Sequence, residues 1–197
     1  RTSSSATRST APHGTRNRSR PSGLPSSITA YLRDVPMAHN NLGNVYAEKG
    51  QHAAAIAEFQ RGLRIAPASS FLYNGLANSF SAAGKGKQAL RAFQSALAVQ
   101  PDAHYATYNL GNFLRGLERA PEAEFHIRKA LRAAPREARY AVGLGQLLHE
   151  QKHWRGLRLD EAVGSYRYAI QLLERAGSPR SPPVERDLAA ALRDAKR

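Results

Sequence analysis

The chain has 197 residues, and its 29 Lys and Arg outnumber its 15 Asp and Glu, which gives a formal net charge of +14. It has no Cys, so the sequence excludes a disulfide framework and thiolate chemistry and fits a reducing compartment. No apolar run approaches the roughly 18 residues of a membrane span. We therefore expect a cytoplasmic or nuclear protein.

Residues 1–35 differ in composition from the rest of the chain. They carry six Arg and one Asp and are otherwise rich in Ser, Thr and Pro. Such a segment buries too little apolar surface to offset the entropy of ordering it, so we predict a disordered tail. Its Arg-rich and Ser-rich composition also resembles an organelle transit peptide, which keeps targeting open. Because the first residue is Arg and not Met, we expect a processed chain or a fragment.

From Pro36 onward the sequence repeats with a period of 34 residues. The letters NLGN at 41–44 return at 109–112, and GLAN stands halfway, at 75–78. Internal similarity at a fixed period of this length indicates a repeat architecture. The units are 36–69, 70–103, 104–137 and 138–176, and the last one contains a five-residue insertion around 152–159.

Six positions of each unit, counted from its first residue, carry the apolar pattern. Positions 7, 8 and 11 share one face of a first helix, and positions 20, 24 and 27 share one face of a second helix. Small residues at positions 8, 20 and 27 allow two antiparallel helices to approach closely. Pro67, Pro101 and Pro135 then end the second helix of three units. The predicted helices span 37–49 and 53–66, 71–83 and 87–100, 105–117 and 121–134, and 139–151 and 160–175.

This pattern resembles the tetratricopeptide repeat family over residues 36–176. The resemblance implies an all-α fold, a right-handed superhelical solenoid in which each helix pair stacks on the next. Residues 177–197 would then form a linker and a C-terminal capping helix. In that helix Leu188, Ala189 and Leu192 fall at positions 7, 8 and 11 of a fifth unit.

The resemblance also implies that positions 2, 5, 6, 9, 12 and 13 face a concave groove. Position 9 is a carboxamide in every unit, and position 6 adds two more; the residues are Asn44, Asn78, Asn112, Gln146, Asn41 and Asn109. A carboxamide both donates and accepts hydrogen bonds, so a row of them can bind the backbone of an extended peptide. The alternative is that these side chains are solvated or bonded within the array.

The remaining groove positions combine aromatic, amide and basic side chains. They are Phe71, Asn74, Tyr105, Tyr108, Arg115 and Arg139. Aromatic residues and Arg are the types that dominate binding hot spots. Since the groove acids in this reading are Glu48 and Glu150, we expect an extended protein or peptide partner that is neutral to acidic.

One stretch resembles a catalytic motif. HEQKH at 149–153 matches the zinc-binding pattern H-E-x-x-H, which needs both His on one face of an unbroken helix. Here His149 ends a first helix and His153 falls in the turn after it. We therefore expect neither a metal site nor a cofactor, and we expect the chain as given not to be an enzyme.

Three kinds of partner follow from this reading. The leading one is a peptide bound by a scaffold or adaptor. The Asn-rich groove is also similar to the repeat arm of O-linked N-acetylglucosamine transferases, which would make the chain a substrate-docking arm of a larger enzyme. The basic residues could instead serve RNA, but most of them fall on second helices and point outward: Arg61, Arg64, Arg91, Arg128, Arg132 and Arg167.

Overall fold

The structure is a computed structural model that describes residues 36–151, 157–178 and 181–196. Within these ranges the chain forms nine α-helices and no strand. They are α1 (Pro36–Glu48), α2 (His52–Ile65), α3 (Ser70–Ala82), α4 (Gly86–Val99), α5 (His104–Gly116), α6 (Ala120–Ala133), α7 (Ala138–Glu150), α8 (Leu157–Arg175) and α9 (Pro182–Ala195). The predicted tail, 1–35, and residues 152–156 of the insertion lie outside the described residues.

The first eight helices form four pairs that stack in chain order, so the predicted all-α solenoid of helix pairs is confirmed. Each helix from α1 to α7 begins and ends one residue before the predicted bounds. Helix α8 begins at Leu157, three residues earlier than predicted. The second helices α2, α4 and α6 end two residues before Pro67, Pro101 and Pro135, because the residue that precedes a proline disfavours helical geometry.

The turn inside each of the first three pairs uses the same backbone conformation at position 15. Gly50 and Gly84 both have φ of 72°, and Glu118 has φ of 59°. This left-handed region suits glycine and disfavours a residue that has a Cβ atom. The first three units therefore have the same turn conformation, although only two of them have a glycine at position 15.

The core of the solenoid is made by the six repeated positions. Position 20 is alanine throughout, and Ala55, Ala89, Ala123 and Ala162 have no exposed surface. Position 8 is small because the ring or branched side chain at position 24 lies directly against it. A Cβ atom on Gly111 would stand 2.8 Å from the Ile127 side chain and 3.1 Å from the carbonyl oxygen of Ala123. That oxygen belongs to the backbone and cannot move aside, so glycine sets the distance between α5 and α6.

Helix α9 closes the C-terminal end of the array by packing on α8 and α7. Val184 and Ala191 are buried, and Leu188 and Leu192 are partly buried against the core. Ala189 is exposed, although it falls at the small core position 8. The reason is that position 8 packs on the second helix of its own pair, and α9 has no such partner in the described part of the chain.

The N-terminal end of the array is more open. Position 10 faces the preceding pair, and Leu147 at this position is 1% exposed, whereas Val45 in the first unit is 43% exposed. Among the described helices, none is both long enough and apolar enough to span a membrane.

Candidate functional site

The first helices α1, α3, α5 and α7 carry the predicted groove residues, and their side chains differ in exposure. Asn44 and Asn78 are exposed at position 9, and Asn41 is exposed at position 6. Asn112, the third member of the position 9 row, is partly buried. The row thus leaves two carboxamides in solvent and a third at the edge of the interior.

Asn112 lies in a cavity of about 250 Å³ between α3 and α5. Two other carboxamides line the same cavity, those of Asn78 and Asn109, and the apolar part of the wall includes Phe93 and Phe113. Within the described residues, the Oδ1 atom of Asn112 is buried and has no hydrogen-bond partner. A buried polar atom without a partner destabilises the fold by about 1–3 kcal/mol.

The remaining carboxamides are bonded within the array. Asn109 donates through Nδ2 to Oδ1 of Asn74, at 3.0 Å. Gln146 is bonded at both ends, since Arg115 donates to its Oε1 at 3.2 Å and its Nε2 donates to Asp187 at 3.0 Å. The fourth position 9 residue is therefore committed to contacts inside the chain.

Two acidic residues of α9 reach the C-terminal end of the groove, and sequence reasoning missed both. Asp187 contacts Gln146, and the Oδ2 atom of Asp194 lies 3.1 Å from Nε2 of His149. The repeat register contained the signal, because a fifth unit that starts at Pro182 puts Asp187 at position 6 and Asp194 at position 13. This end of the groove forms a cavity of about 310 Å³ lined by Arg115, Gln146, His149, Glu150, Tyr166 and Asp187.

The charges at this end largely offset one another. Arg115 lies 3.8 Å from the Glu150 carboxylate, and Arg139 lies 3.1 Å from that of Glu137. Burial raises the pKa of the Tyr166 hydroxyl, and the negative charges of Asp187 and Glu150 raise it further. Tyr166 therefore stays neutral across the physiological range.

Two aromatic groove residues, Phe71 and Tyr105, form a stacked pair at the edge where the first helices begin. Phe71 is 55% exposed, and its ring is stacked on that of Tyr105 with the centroids 4.6 Å apart. The Tyr105 hydroxyl lies 2.6 Å from the Ser70 hydroxyl, which fixes the ring in place. Tyr108 donates to the carbonyl oxygen of Arg139, at 3.0 Å. The exposed face of Phe71 is therefore supported by an ordered neighbour.

Of the two His residues in the H-E-x-x-H match, only the first lies within the described residues. His149 pairs with Asp194, and His153 lies outside the described residues. Within 36–151, 157–178 and 181–196, no three His, Asp or Glu side chains are grouped as metal ligands.

Two of the outward Arg residues form ion pairs, and one of them is Arg61, which donates to Glu58 on its own helix. Arg128 donates to Glu124 on its own helix and to Glu161 on α8, and Arg158 also donates to Glu124, at 2.6 Å. Burial acts to raise the pKa of Glu124, but hydrogen bonds from Arg158 and Arg128 outweigh it and hold that pKa below its usual value. Arg61, Arg64, Arg91, Arg132 and Arg167 are exposed.

Two family profiles described as tetratricopeptide repeat match the sequence, at residues 34–102 and 74–135. A search among curated proteins gave no significant match.

Solved structures share the fold at low identity. PilF of Pseudomonas aeruginosa superposes with a TM-score of 0.71 at 23% identity, covering 85% of this chain and 70% of PilF. TTC0263, a TPR protein of Thermus thermophilus, superposes with a TM-score of 0.72 at 20% identity, covering 84% of this chain and 85% of the other. MamA gives 0.60 at 21% identity, with coverages of 77% and 85%.

Proposed function

Since this chain belongs to the tetratricopeptide repeat family and is thus a protein-interaction scaffold, we propose that it binds an extended peptide along its concave surface. Asn44, Asn78 and Asn112 would bind the peptide backbone. The role is one of binding and not of catalysis, because carboxamides do not titrate and cannot act as general acids or bases.

The observation that carries this proposal is the grouping of three carboxamides, those of Asn78, Asn109 and Asn112, around one cavity. The cavity lies on the surface where the first helices are aligned. A peptide N–H or C=O placed in it can form hydrogen bonds with these carboxamides, because each of them has both a donor and an acceptor.

The spacing of the row suits an extended chain. Packed helices lie about 8–10 Å apart, and an extended chain advances about 3.3 Å per residue. One position 9 carboxamide therefore meets about every third peptide residue, and Asn44, Asn78 and Asn112 together span about seven residues. Such contacts are hydrogen bonds to the peptide backbone and not to its side chains. They therefore support a partner that is recognised more by its extended conformation than by its sequence.

The charges support a neutral partner. The expected preference for an acidic peptide depended on Arg115 and Arg139, and both have a carboxylate within 4 Å. Asp187 and Asp194 add negative charge at the same end. We therefore propose a peptide without net charge over the residues that contact α1, α3 and α5.

The test begins with peptides selected on the wild-type protein from a displayed library of random 12-residue sequences. Changing Asn44, Asn78 and Asn112 together to Ala removes about 1 kcal/mol each, so affinity should fall by about two powers of ten for every selected peptide. The matched control changes three exposed carboxamides of the second helices, Gln60, Gln94 and Gln171, to Ala and should leave affinity unchanged.

Methylation of single peptide nitrogens distinguishes backbone contacts from side-chain contacts. At the peptide residue next to Asn112, N-methylation should weaken binding to the wild type and have little further effect on the Asn112→Ala variant. This non-additivity is the signature of a direct contact. Additive losses at every peptide position, or unchanged binding by the triple variant with its helicity intact, would contradict the proposal.

A further inference from the structure

A second cavity of about 250 Å³ adjoins the carboxamide cavity on the side where α3 and α5 end. It shares Ser81, Asn112 and Phe113 with its neighbour, so the two cavities meet at these residues. We call this second cavity the turn notch, because Gly84 of the α3–α4 turn and Gly86 at the start of α4 line it. A groove that binds only backbone would not need it.

The turn notch is open because three glycines border it. Gly116 and Leu117 form the wall opposite Gly84 and Gly86. A Cβ atom on Gly116 would meet no atom within 4 Å, and its backbone is not in the left-handed region. Gly116 is thus required neither by the turn nor by helix packing. Its counterparts at position 13 are Glu48, Ala82 and Glu150, so only the third unit lacks a side chain there.

The lining of the turn notch indicates what it can hold. No lining residue is charged, and the side chains that face it include Phe113 and Leu117, which is 47% exposed. A charged group would lose water there without gaining a partner. Pockets for whole small molecules have volumes of about 300–1,000 Å³, so a cavity of this size is suited to one side chain.

We propose that the turn notch binds one apolar side chain, of Leu or Phe size, from the peptide whose backbone Asn112 binds. This inference rests on the proposed function and adds sequence preference to it. Successive side chains of an extended peptide point to opposite sides. When the backbone is bonded to Asn112, the side chain directed toward the helix ends enters the notch, and its neighbours do not.

Filling the notch from either wall tests this proposal. Gly116→Leu adds a side chain where space is open, and Gly86→Leu does so from the opposite wall, where a Cβ atom would be 3.9 Å from Phe113. Gly164→Leu is the matched control, since Gly164 is an exposed helical glycine on α8 with open space around its Cβ position and does not line the notch. Thermal melting should show all three variants to be folded.

The measurement uses the peptides selected from the random 12-residue library, with each position changed to Ala in turn. On the wild type and on Gly164→Leu, one apolar position should lose about tenfold to a hundredfold in affinity when it becomes Ala. For the Gly116→Leu and Gly86→Leu variants, the same change to Ala should lower the affinity by less than about threefold. The effect of N-methylation next to Asn112 should persist in both variants.

The other outcomes separate the two proposals. If the apolar preference survives both filled variants while Asn112→Ala still removes the N-methylation effect, the notch proposal is wrong and backbone binding stands. An equal loss for all peptides on the filled variants, whatever residue they carry, also contradicts the notch as a side-chain site. If no peptide is selected by the wild type, both proposals fail.

Discussion

Position 15 of the repeat shows how a single residue can be at odds with the backbone around it. Gly50 and Gly84 adopt a left-handed turn at no steric cost, and Glu118 adopts nearly the same φ with a full side chain. The left-handed conformation costs a residue with a Cβ atom about 1–2 kcal/mol. Part of that cost is offset because glycine loses more entropy on folding.

Glu118→Gly should therefore stabilise the protein by up to about 1 kcal/mol, which corresponds to a rise in Tm of about 2 °C for a chain of this size. Differential scanning calorimetry measures it. Gly50→Glu is the reverse change at the same position of the first unit and should lower Tm. If Glu118→Gly were neutral or destabilising, the carboxylate would have to contribute an interaction that outweighs the backbone cost.

Single residues also mark the limit of the sequence prediction for the site. The 34-residue period correctly placed Asn44, Asn78, Asn112 and Gln146 at equivalent places on four first helices. The period could not indicate which of these carboxamides are hydrogen-bonded within the chain and which are exposed to solvent. Both ends of the Gln146 carboxamide are hydrogen-bonded, one to Arg115 and one to Asp187. The contact with Asp187 depends on how α9 is rotated against α7. No repeat period fixes that rotation, since α9 is not part of a complete pair.

At the scale of the helix, the same position has different surroundings at the two ends of the array. Position 10 packs against the preceding pair, so Leu147 on α7 is buried and Val45 on α1 is largely open. Leu147→Asp should cost at least about 3 kcal/mol, because it removes buried apolar contacts and buries a charge. Val45→Asp should cost less than about 1 kcal/mol.

Chemical denaturation of the two variants gives both values, and Val45→Thr and Leu147→Met serve as mild controls at the same positions. If Val45→Asp and Leu147→Asp lowered the free energy of unfolding by equal and large amounts, Val45 on α1 would have to be as buried in solution as Leu147 on α7.

Helix bounds were predictable to one residue over seven helices, because spacing alone determines which residues share a face. The exception, α8, begins at Leu157 and not at residue 160. It follows the insertion, where the period no longer fixes the register. Ala189 is exposed for a different reason: position 8 packs on the second helix of its own pair, and α9 is a capping helix without such a partner in the described residues.

At the scale of the whole molecule, each pair contacts mainly its neighbours, so stability is shared between adjacent units. Ala89→Arg, at a fully buried crossing of α3 and α4, should unfold more than its own unit. The helical signal in circular dichroism should fall by more than the share that α3 and α4 contribute. Ala98→Arg is the control, an exposed site on the same helix α4. A loss confined to one unit, or none, would show that the pairs fold independently.

The contacts Asn74–Asn109 and Arg115–Gln146 join first helices of successive units across the groove. They are polar and lie on the inner side of the curve, whereas the apolar core lies between the first and second helices. These hydrogen bonds therefore add to the contacts that hold successive first helices together on the groove side. A peptide bonded to Asn44 and Asn112 at once spans two helix spacings and fixes the curvature between them. By thermodynamic reciprocity, a force that straightens the array would release the peptide, and a bound peptide would make the array resist extension.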